Sequence, residues 1–152
     1  MFDGLNCLVT GASAGIGLEL SGTLAQAGAD LVAVGRNGTG VADAEACVAA
    51  GGDACFKVVA DLATAAGAEP VAAEVTAFDV LVNNARIRFT PTLIEQTVDE
   101  WDSTFAVNLR APRLVARALV PGMIRRAHGK VTKISSLASG VGLPEHGAYS
   151  AT

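Results

Sequence analysis

A glycine-rich turn near the start of the chain places the strongest constraint on its fold. Residues 5–9 form a short, mostly apolar run, residues 10–17 read TGASAGIG, and a helical pattern begins at Leu18. A turn of this kind between a strand and a helix is typical of phosphate binding, because the free N–H groups and the positive dipole end of the helix face the anion. Since glycine supplies 17 of the 152 residues, the alternative is a turn that only connects strand and helix.

Each glycine of this turn has a predicted task. Gly11 lets the backbone turn sharply away from the strand. Gly15 lacks the β-carbon that would block a pyrophosphate from the helix N-terminus, and Gly17 lets the helix pack closely on the sheet. A strand before the turn and a helix after it are the context that a dinucleotide-binding turn requires.

Length, composition and charge limit the class of protein. A chain of 152 residues with 51% hydrophobic content is large enough for one domain with its own core. Its net charge of −4 disfavours nucleic acid as a partner. No apolar run approaches the roughly 20 residues of a membrane span, and no secretory leader precedes the first strand. The three cysteines, Cys7, Cys47 and Cys55, lack metal-type spacing, which predicts reduced thiols, no metal site and a cytoplasmic protein.

Strand-like and helical patterns alternate along the chain. Strands are predicted over residues 5–9, 30–34, 55–59, 79–82 and 131–134, and helices over residues 16–27, 41–50, 64–77 and 98–126, with a further helix starting near Tyr149. Pro112 and Pro121 are expected to bend the long helix or to end it near Ala118. The alternation predicts an α/β fold, a doubly wound parallel sheet covered by helices on both faces. Ligands of such sheets bind beyond the carboxyl ends of the strands, where the polar residues are Ser13, Arg36, Asp61, Asn83 and Ser136.

Further short motifs follow the glycine turn in a fixed order. They are Asp61-Leu62, Asn83-Asn84-Ala85, Asn108 in the long helix, Ser136 after the fifth strand, and Tyr149. With the turn, these motifs resemble the short-chain dehydrogenase/reductase family along essentially the whole chain. The resemblance implies a three-layer α/β/α Rossmann fold and one NAD(P)-binding domain over residues 1–152. It also implies an oxidoreductase that acts on a small carbonyl or alcohol substrate and forms homo-oligomers through its long helices.

The resemblance implies a role for each site residue. Ser136 and Tyr149 would address the substrate carbonyl or alcohol, and Asn108 would open its helix locally to hold a water in a proton relay. The implied cofactor contacts are Gly11, Ser13, Gly15, Ile16 and Gly17 at the pyrophosphate, Asp61 and Leu62 beside the adenine, and Asn83 and Ala85 on the ribose side.

Each of these residues also has a purely structural interpretation. Asp61 is compatible with a helix cap or a turn, and Asn108 with a structural hydrogen bond inside an apolar helix. The Asn83-Asn84 pair is compatible with a turn, Ser135-Ser136 with a strand end, and Tyr149 with half-buried packing.

The end of the second strand bears on the choice of cofactor. NAD-binding relatives carry an acid there that bonds the ribose 2′-hydroxyl, whereas this chain has Gly35 followed by Arg36. An arginine binds a 2′-phosphate through charge-assisted hydrogen bonds. The sequence therefore predicts NADP(H), held by Arg36 and Asn37. The alternative is that Arg36 is a solvated turn residue stacked on adenine, which is compatible with NAD.

The chain departs from the family pattern at its end. Hydride transfer to a carbonyl leaves an alkoxide that a phenol can protonate, but an unperturbed phenol has a pKa of about 10. Cationic neighbours lower that value, and the family places a lysine four residues after the tyrosine, beyond Thr152 of this chain. We therefore expect a C-terminally truncated domain with negligible alcohol oxidation. We also expect the fifth strand to form an exposed apolar edge that favours association.

The sequence leaves open the roles of two cations and the identity of the substrate. Arg86 stands where the family usually has glycine, and would either crowd the nicotinamide ribose or point to solvent. Lys133 lies in a strand that is expected to be buried, where it must reach solvent or find a partner. Sugar or polyol, 3-oxoacyl and steroid substrates are all compatible with the chain. The alternative function is a catalytically inactive nucleotide-binding fragment or interaction module.

Overall fold

Five parallel strands form the centre of the molecule. The computed structural model describes residues 2–38, 55–64, 66–68, 71 and 77–152. The strand order is β3-β2-β1-β4-β5, and every described pair is parallel. This confirms the predicted parallel α/β sheet, and each strand lies within one residue of its predicted bounds. The strands are β1 (Asn6–Thr10), β2 (Asp30–Gly35), β3 (Cys55–Val59), β4 (Val80–Asn83) and β5 (Lys130–Lys133).

The order in which successive strands join the sheet reverses between β1 and β4, although all strands stay parallel. From β1 the chain proceeds outward through β2 to β3, and it then returns to the other side of β1 for β4 and β5. A crevice opens at the carboxyl ends of the strands where such a reversal occurs. The fold thereby places the residues after β1 and those after β4 side by side.

Four α-helices flank the sheet in the described part of the chain. They are α1 (Gly15–Gln26), α2 (Val98–Phe105), α3 (Ala111–Arg126) and α4 (Gly147–Ser150), with 3₁₀ turns at Ala66–Ala68 and Leu137–Ser139. A capping box starts α2, because the Thr97 side chain accepts from the Glu100 N–H while the Glu100 carboxylate accepts from the Thr97 N–H. A π turn, Ala106–Arg110, joins α2 to α3.

The long helix ends at Arg126, as in its predicted range of residues 98–126, and not at the alternative end near Ala118. Helix α3 continues through the exposed Pro121 and ends at Arg126, where Ala127 adopts a left-handed φ of 51° and donates to the Ile124 carbonyl. Pro112 lies in the first turn of α3, directly after the π turn of residues Ala106–Arg110. The left-handed backbone conformation of Ala127 therefore decides where the helix ends.

The core lies on both faces of the sheet. On one face, Leu8 packs in a cluster with Val115, Leu119 and Met123 of α3. On the other face, the neighbouring Cys7 and Val9 pack with Leu24 and Ala25 of α1. Since successive strand residues point to opposite faces, β1 supplies both clusters. The three-layer arrangement predicted from the sequence is confirmed.

The outer strand β5 is an exposed edge strand, as expected from the sequence. All four of its residues are exposed, with Val131 at 49%. Lys133 therefore meets solvent, and its ammonium group also donates to the Thr152 carbonyl oxygen at 2.7 Å. The reason is position, because β5 is the last strand of the described sheet. Association through this edge stays a prediction.

Some predictions fall on residues outside the described part. These are the helix over residues 41–50, Cys47, and most of the helix over residues 64–77. Of the other two cysteines, Cys7 is buried and Cys55 is partly exposed. Among the described residues, no helix has the length and apolar character needed to cross a membrane.

Candidate functional site

The glycine turn after β1 is closed on one side and open on the other. Gly11 and Gly15 have φ values of 68° and 56°, in the left-handed region that favours glycine. A β-carbon on Gly11 would lie 2.8 Å from the Cα of Ala85, and one on Gly17 would overlap the Gly11 carbonyl and the Asn84 amide. A β-carbon on Gly15 would meet no atom within 4 Å. The turn thus packs against the end of β4 and leaves the Gly15 side open.

The N-terminus of α1 has no side-chain cap. Its N-cap residue is Ala14, which makes no capping hydrogen bond, and its first turn contains no acidic residue. Ile16 in that turn is 61% exposed. A cleft of about 340 Å³, here called the glycine-turn cleft, lies against this end of the helix. Uncapped N–H groups beside an open cleft are suited to an anion. The cleft is lined by Gly11, Ser13, Ala14, Gly15, Ile16, Asn84, Ala85 and Arg86.

Two side chains hold the turn against β4. The Thr10 hydroxyl oxygen accepts from the N–H groups of Asn84 at 3.1 Å and Ala85 at 3.0 Å. The Asn84 amide donates to the carbonyl oxygens of Thr10 at 3.0 Å and Gly11 at 3.2 Å. Sequence reasoning included both residues in its motifs but gave neither a role. Only the parallel pairing of β1 with β4 brings together residues 74 positions apart.

A second cleft, of about 250 Å³, runs along the ends of β1, β2 and β3 and is here called the β2–β3 cleft. The Asp61 carboxylate at its wall accepts from the Ala63 N–H at 3.0 Å, which is the turn-stabilising bond of the structural interpretation. Leu62 is buried in the core and also lines the cleft. The cleft brings together predicted cofactor residues that follow four strands, β1 to β4: Gly11, Ser13, Arg36, Asn37, Asp61, Leu62 and Ala85.

Asn108 lies in the π turn and is only 5% exposed. Its side-chain oxygen accepts from the Ile87 N–H at 3.0 Å, and its amide donates to the Ile87 carbonyl at 3.1 Å and to the Thr152 hydroxyl at 3.0 Å. The Ala111 N–H closes the widened turn on the Ala106 carbonyl. The bonds of Asn108 join the long helix to the segment after β4. Its role in a proton relay stays a prediction.

The three residues predicted to be catalytic line one small cavity of about 30 Å³, the Ser136–Tyr149 cavity. The Ser136 hydroxyl oxygen accepts from the Ala138 N–H at 3.2 Å, so its own hydrogen remains for another acceptor. Asn83 is buried in the same wall, and its side-chain oxygen has no hydrogen-bond partner in the described part of the chain. Asn83 thus lies beside Ser136, whereas its neighbour Asn84 lines the glycine-turn cleft.

The ring of Tyr149 contacts an arginine and a histidine. The guanidinium carbon of Arg86 lies 6.0 Å from the centre of the Tyr149 ring, and the His146 ring packs edge-on at 6.1 Å. The His146 Nε2 lies 3.2 Å from an Arg88 nitrogen, and its Nδ1 lies 2.7 Å from the Pro144 carbonyl. Because arginine can only donate and the carbonyl can only accept, this arrangement corresponds to neutral imidazole with the proton on Nδ1.

Fold and site together define a dinucleotide-binding α/β domain with a serine, a tyrosine and an asparagine beside the binding clefts. The model of the family described as short chain dehydrogenase matches residues 6–152. The chain is 38% identical to D-threitol dehydrogenase of Mycolicibacterium smegmatis, over 99% of this chain and 59% of that protein. It is 35% identical to gluconate 5-dehydrogenase of Gluconobacter oxydans, over 98% of this chain and 60% of that protein. The chain therefore belongs to the short-chain dehydrogenase family, as its motifs predict.

Solved structures agree with this assignment. A metagenomic short-chain oxidoreductase in complex with NADP has a TM-score of 0.89 and 37% identity, over 99% of this chain and 70% of that one. A short-chain dehydrogenase from Streptomyces avermitilis has a TM-score of 0.90 and 30% identity, over 97% of this chain and 54% of that one. The chain spans about 60% of the length of the two curated relatives named above.

Proposed function

We propose that this chain is the cofactor-binding part of an NADP(H)-dependent oxidoreductase that interconverts a carbonyl and an alcohol. The observation that carries the proposal is the uncapped N-terminus of α1 beside the open face of Gly15. The N–H groups there lack a side-chain acceptor, and the pyrophosphate of a dinucleotide would supply one. Family membership and the NADP complex of a solved relative support the same cofactor.

The cleft after β2 supports NADP(H) over NAD(H). Gly35 at the end of β2 places no carboxylate there, and the exposed Arg36 lines the β2–β3 cleft beside Asn37. A guanidinium binds a 2′-phosphate through two parallel hydrogen bonds. Asp61 and Leu62, which line the same cleft, would lie beside the adenine.

The proposed chemistry divides between the cofactor and the Ser136–Tyr149 cavity. When bound, the nicotinamide cofactor supplies or accepts the hydride. The Ser136 hydroxyl, whose oxygen already accepts from Ala138, is free to donate to the substrate oxygen. The Tyr149 hydroxyl would give a proton to that oxygen during reduction. Asn108 holds the adjoining backbone in place through Ile87.

The named relatives favour one of the three substrate classes. D-threitol dehydrogenase, gluconate 5-dehydrogenase and L-xylulose reductase of Bos taurus all carry polyol, sugar or sugar-acid names. We therefore propose a small polyhydroxylated substrate over a 3-oxoacyl or steroid substrate. A cytoplasmic location and homo-oligomerisation stay predictions.

Titration of the purified chain with NADPH and NADH tests the proposal. We expect NADPH to bind more tightly, and Arg36→Ala to weaken NADPH about tenfold or more while leaving NADH unchanged. Arg117→Ala removes the same charge from an exposed position on α3 and should change neither affinity. Absence of NADPH binding by a folded chain would contradict the proposal. Binding without turnover of any polyol or ketose would favour the non-catalytic module.

A further inference from the structure

We propose that Arg86 forms an anion subsite beside Tyr149 that selects substrates carrying a carboxylate near the reacting carbon. The proposal rests on the proposed function, because it concerns the substrate of that same site. Arg86 lines the glycine-turn cleft, the β2–β3 cleft and the Ser136–Tyr149 cavity. A single side chain therefore stands where the three meet.

The ring of Tyr149 helps to direct the Arg86 guanidinium. The guanidinium carbon of Arg86 lies 6.0 Å from the centre of the ring, within the range of a cation–π contact. The contact keeps the cation at the face of the ring whose hydroxyl group would face the substrate oxygen. Arg86 is exposed, as in the solvent alternative predicted from the sequence, and it also lines the three cavities of the site.

The charge of Arg86 has no counter-ion among the described residues. The ion pairs found there join Asp79 to Arg126 and to His128. Asp79 precedes β4 and thus lies at the opposite edge of the sheet from the glycine turn. The face of the guanidinium meets an aromatic ring, whereas its N–H groups form a planar fork that matches the two oxygens of a carboxylate. An exposed, unpaired cation in the wall of a reaction site is suited to an anionic ligand.

The position of Arg86 favours a substrate carboxylate over the cofactor pyrophosphate as that ligand. The pyrophosphate has its own donors in the uncapped first turn of α1. The cation–π contact instead holds Arg86 against Tyr149, in the wall that also contains Ser136. A carboxylate one or two carbons from the reacting centre would reach the guanidinium while its carbonyl faces these two hydroxyl groups.

The unique tyrosine of the chain provides the readout. With the ring of Tyr149 isotopically labelled, the chain is saturated with NADP⁺ and titrated with D-gluconate or with the matched neutral polyol D-glucitol. We expect gluconate to shift the ring signals and to bind at least about tenfold more tightly than glucitol. Arg86→Gln should abolish this preference, and Arg86→Lys should retain part of it because it keeps the charge without the fork.

Arg117→Gln is the matched control, because it removes one positive charge from an exposed position of α3. It should keep the preference for gluconate. Equal binding of the two probes, binding of neither, or a preference that survives in Arg86→Gln would overturn the proposal. A loss of NADP⁺ affinity in Arg86→Gln with an unchanged preference would assign Arg86 to the cofactor and also overturn it. If NADP⁺ does not bind the parent chain, the proposed function fails first.

Discussion

The glycine turn and the Ser136–Tyr149 cavity lie at the same edge of the sheet but are held in different ways. The turn is tied to β4 by hydrogen bonds from Thr10 and Asn84 that join residues 72 to 75 positions apart. Around Ser136, the bonds of the Leu137–Ser139 turn span two to four residues. Longer contacts reach the cavity from Asn108 and Lys133, and both end on Thr152.

This difference concerns how much each region depends on the rest of the fold. The glycine turn is continuous with the buried centre of the sheet, so its shape depends on the whole fold. The loop that contains Ser136 follows an exposed edge strand and depends on local turns. Substitutions in the turn should therefore lower stability and cofactor affinity together, whereas substitutions in the loop should change chemistry with little loss of stability.

The largest effect is expected at Gly17. An alanine there would overlap the Gly11 carbonyl and the Asn84 amide, and we expect Gly17→Ala to lower the free energy of unfolding by about 3 kcal/mol. In Gly122→Ala, the added carbon lies 3.4 Å from the flexible end of Arg126, and the helix should gain about 0.5–1 kcal/mol. Urea unfolding measures both changes. Equal effects of the two substitutions on the free energy of unfolding would contradict the close packing of Gly17 against the turn.

The next effect concerns the hydroxyl of Thr10, which is 2% exposed. Thr10→Val keeps the shape but leaves the N–H groups of Asn84 and Ala85 without their acceptor, which should cost about 2 kcal/mol. NADPH affinity should fall as well, because the turn loses its attachment to β4. Thr10→Ser retains the hydroxyl and should stay closer to the parent in both measurements. A valine variant with unchanged stability would show that these bonds do not hold the turn.

A pH-dependent effect is expected at Cys7, on β1 beneath the turn. Burial, followed by the charges of Asp79 and Asp30, raises the pKa of the Cys7 thiol from 9.0 to about 11. The folded state then holds the thiol proton more tightly than the unfolded state, so stability falls as the pH rises from about 9 towards 11. The loss should reach about 1.4 kcal/mol at pH 10. Cys7→Ala should lack this part of the pH dependence, and identical pH profiles for the two chains would contradict the assignment.

The smallest effect on stability is expected at Ser136. Its side chain caps a single 3₁₀ turn, so Ser136→Ala should cost less than about 1 kcal/mol and leave NADPH affinity unchanged. Any turnover of a ketose should nevertheless fall at least about a hundredfold, because a donor to the substrate oxygen is lost. Ser139→Ala, which removes another hydroxyl of the same turn, serves as the comparison. A similar decrease in rate for both variants would argue against a specific role of Ser136.

Local patterns in the sequence contained most of the fold. Runs of four or five residues rich in apolar side chains gave strand bounds accurate to one residue, because the strands of a parallel sheet leave a nearly continuous apolar signal. The predicted range 98–126 gave the end of α3 correctly, whereas the alternative end before Pro121 failed, because the helix continues to the left-handed residue Ala127 six positions later. The exposure of β5 is a matter of position in the sheet, which the pattern of a single strand does not encode.

The sequence alone determined the class of this protein, because glycines with a required backbone geometry and the order of the short motifs are local properties of the chain. Tertiary structure decided how those motifs act together. Thr10 and Asn84 became the attachment of the turn only when β1 paired with β4, and Arg86 met Tyr149 only when the end of β4 approached α4. The physical reason is that contacts between residues far apart in the chain arise from sheet order and packing, which no short stretch of sequence specifies.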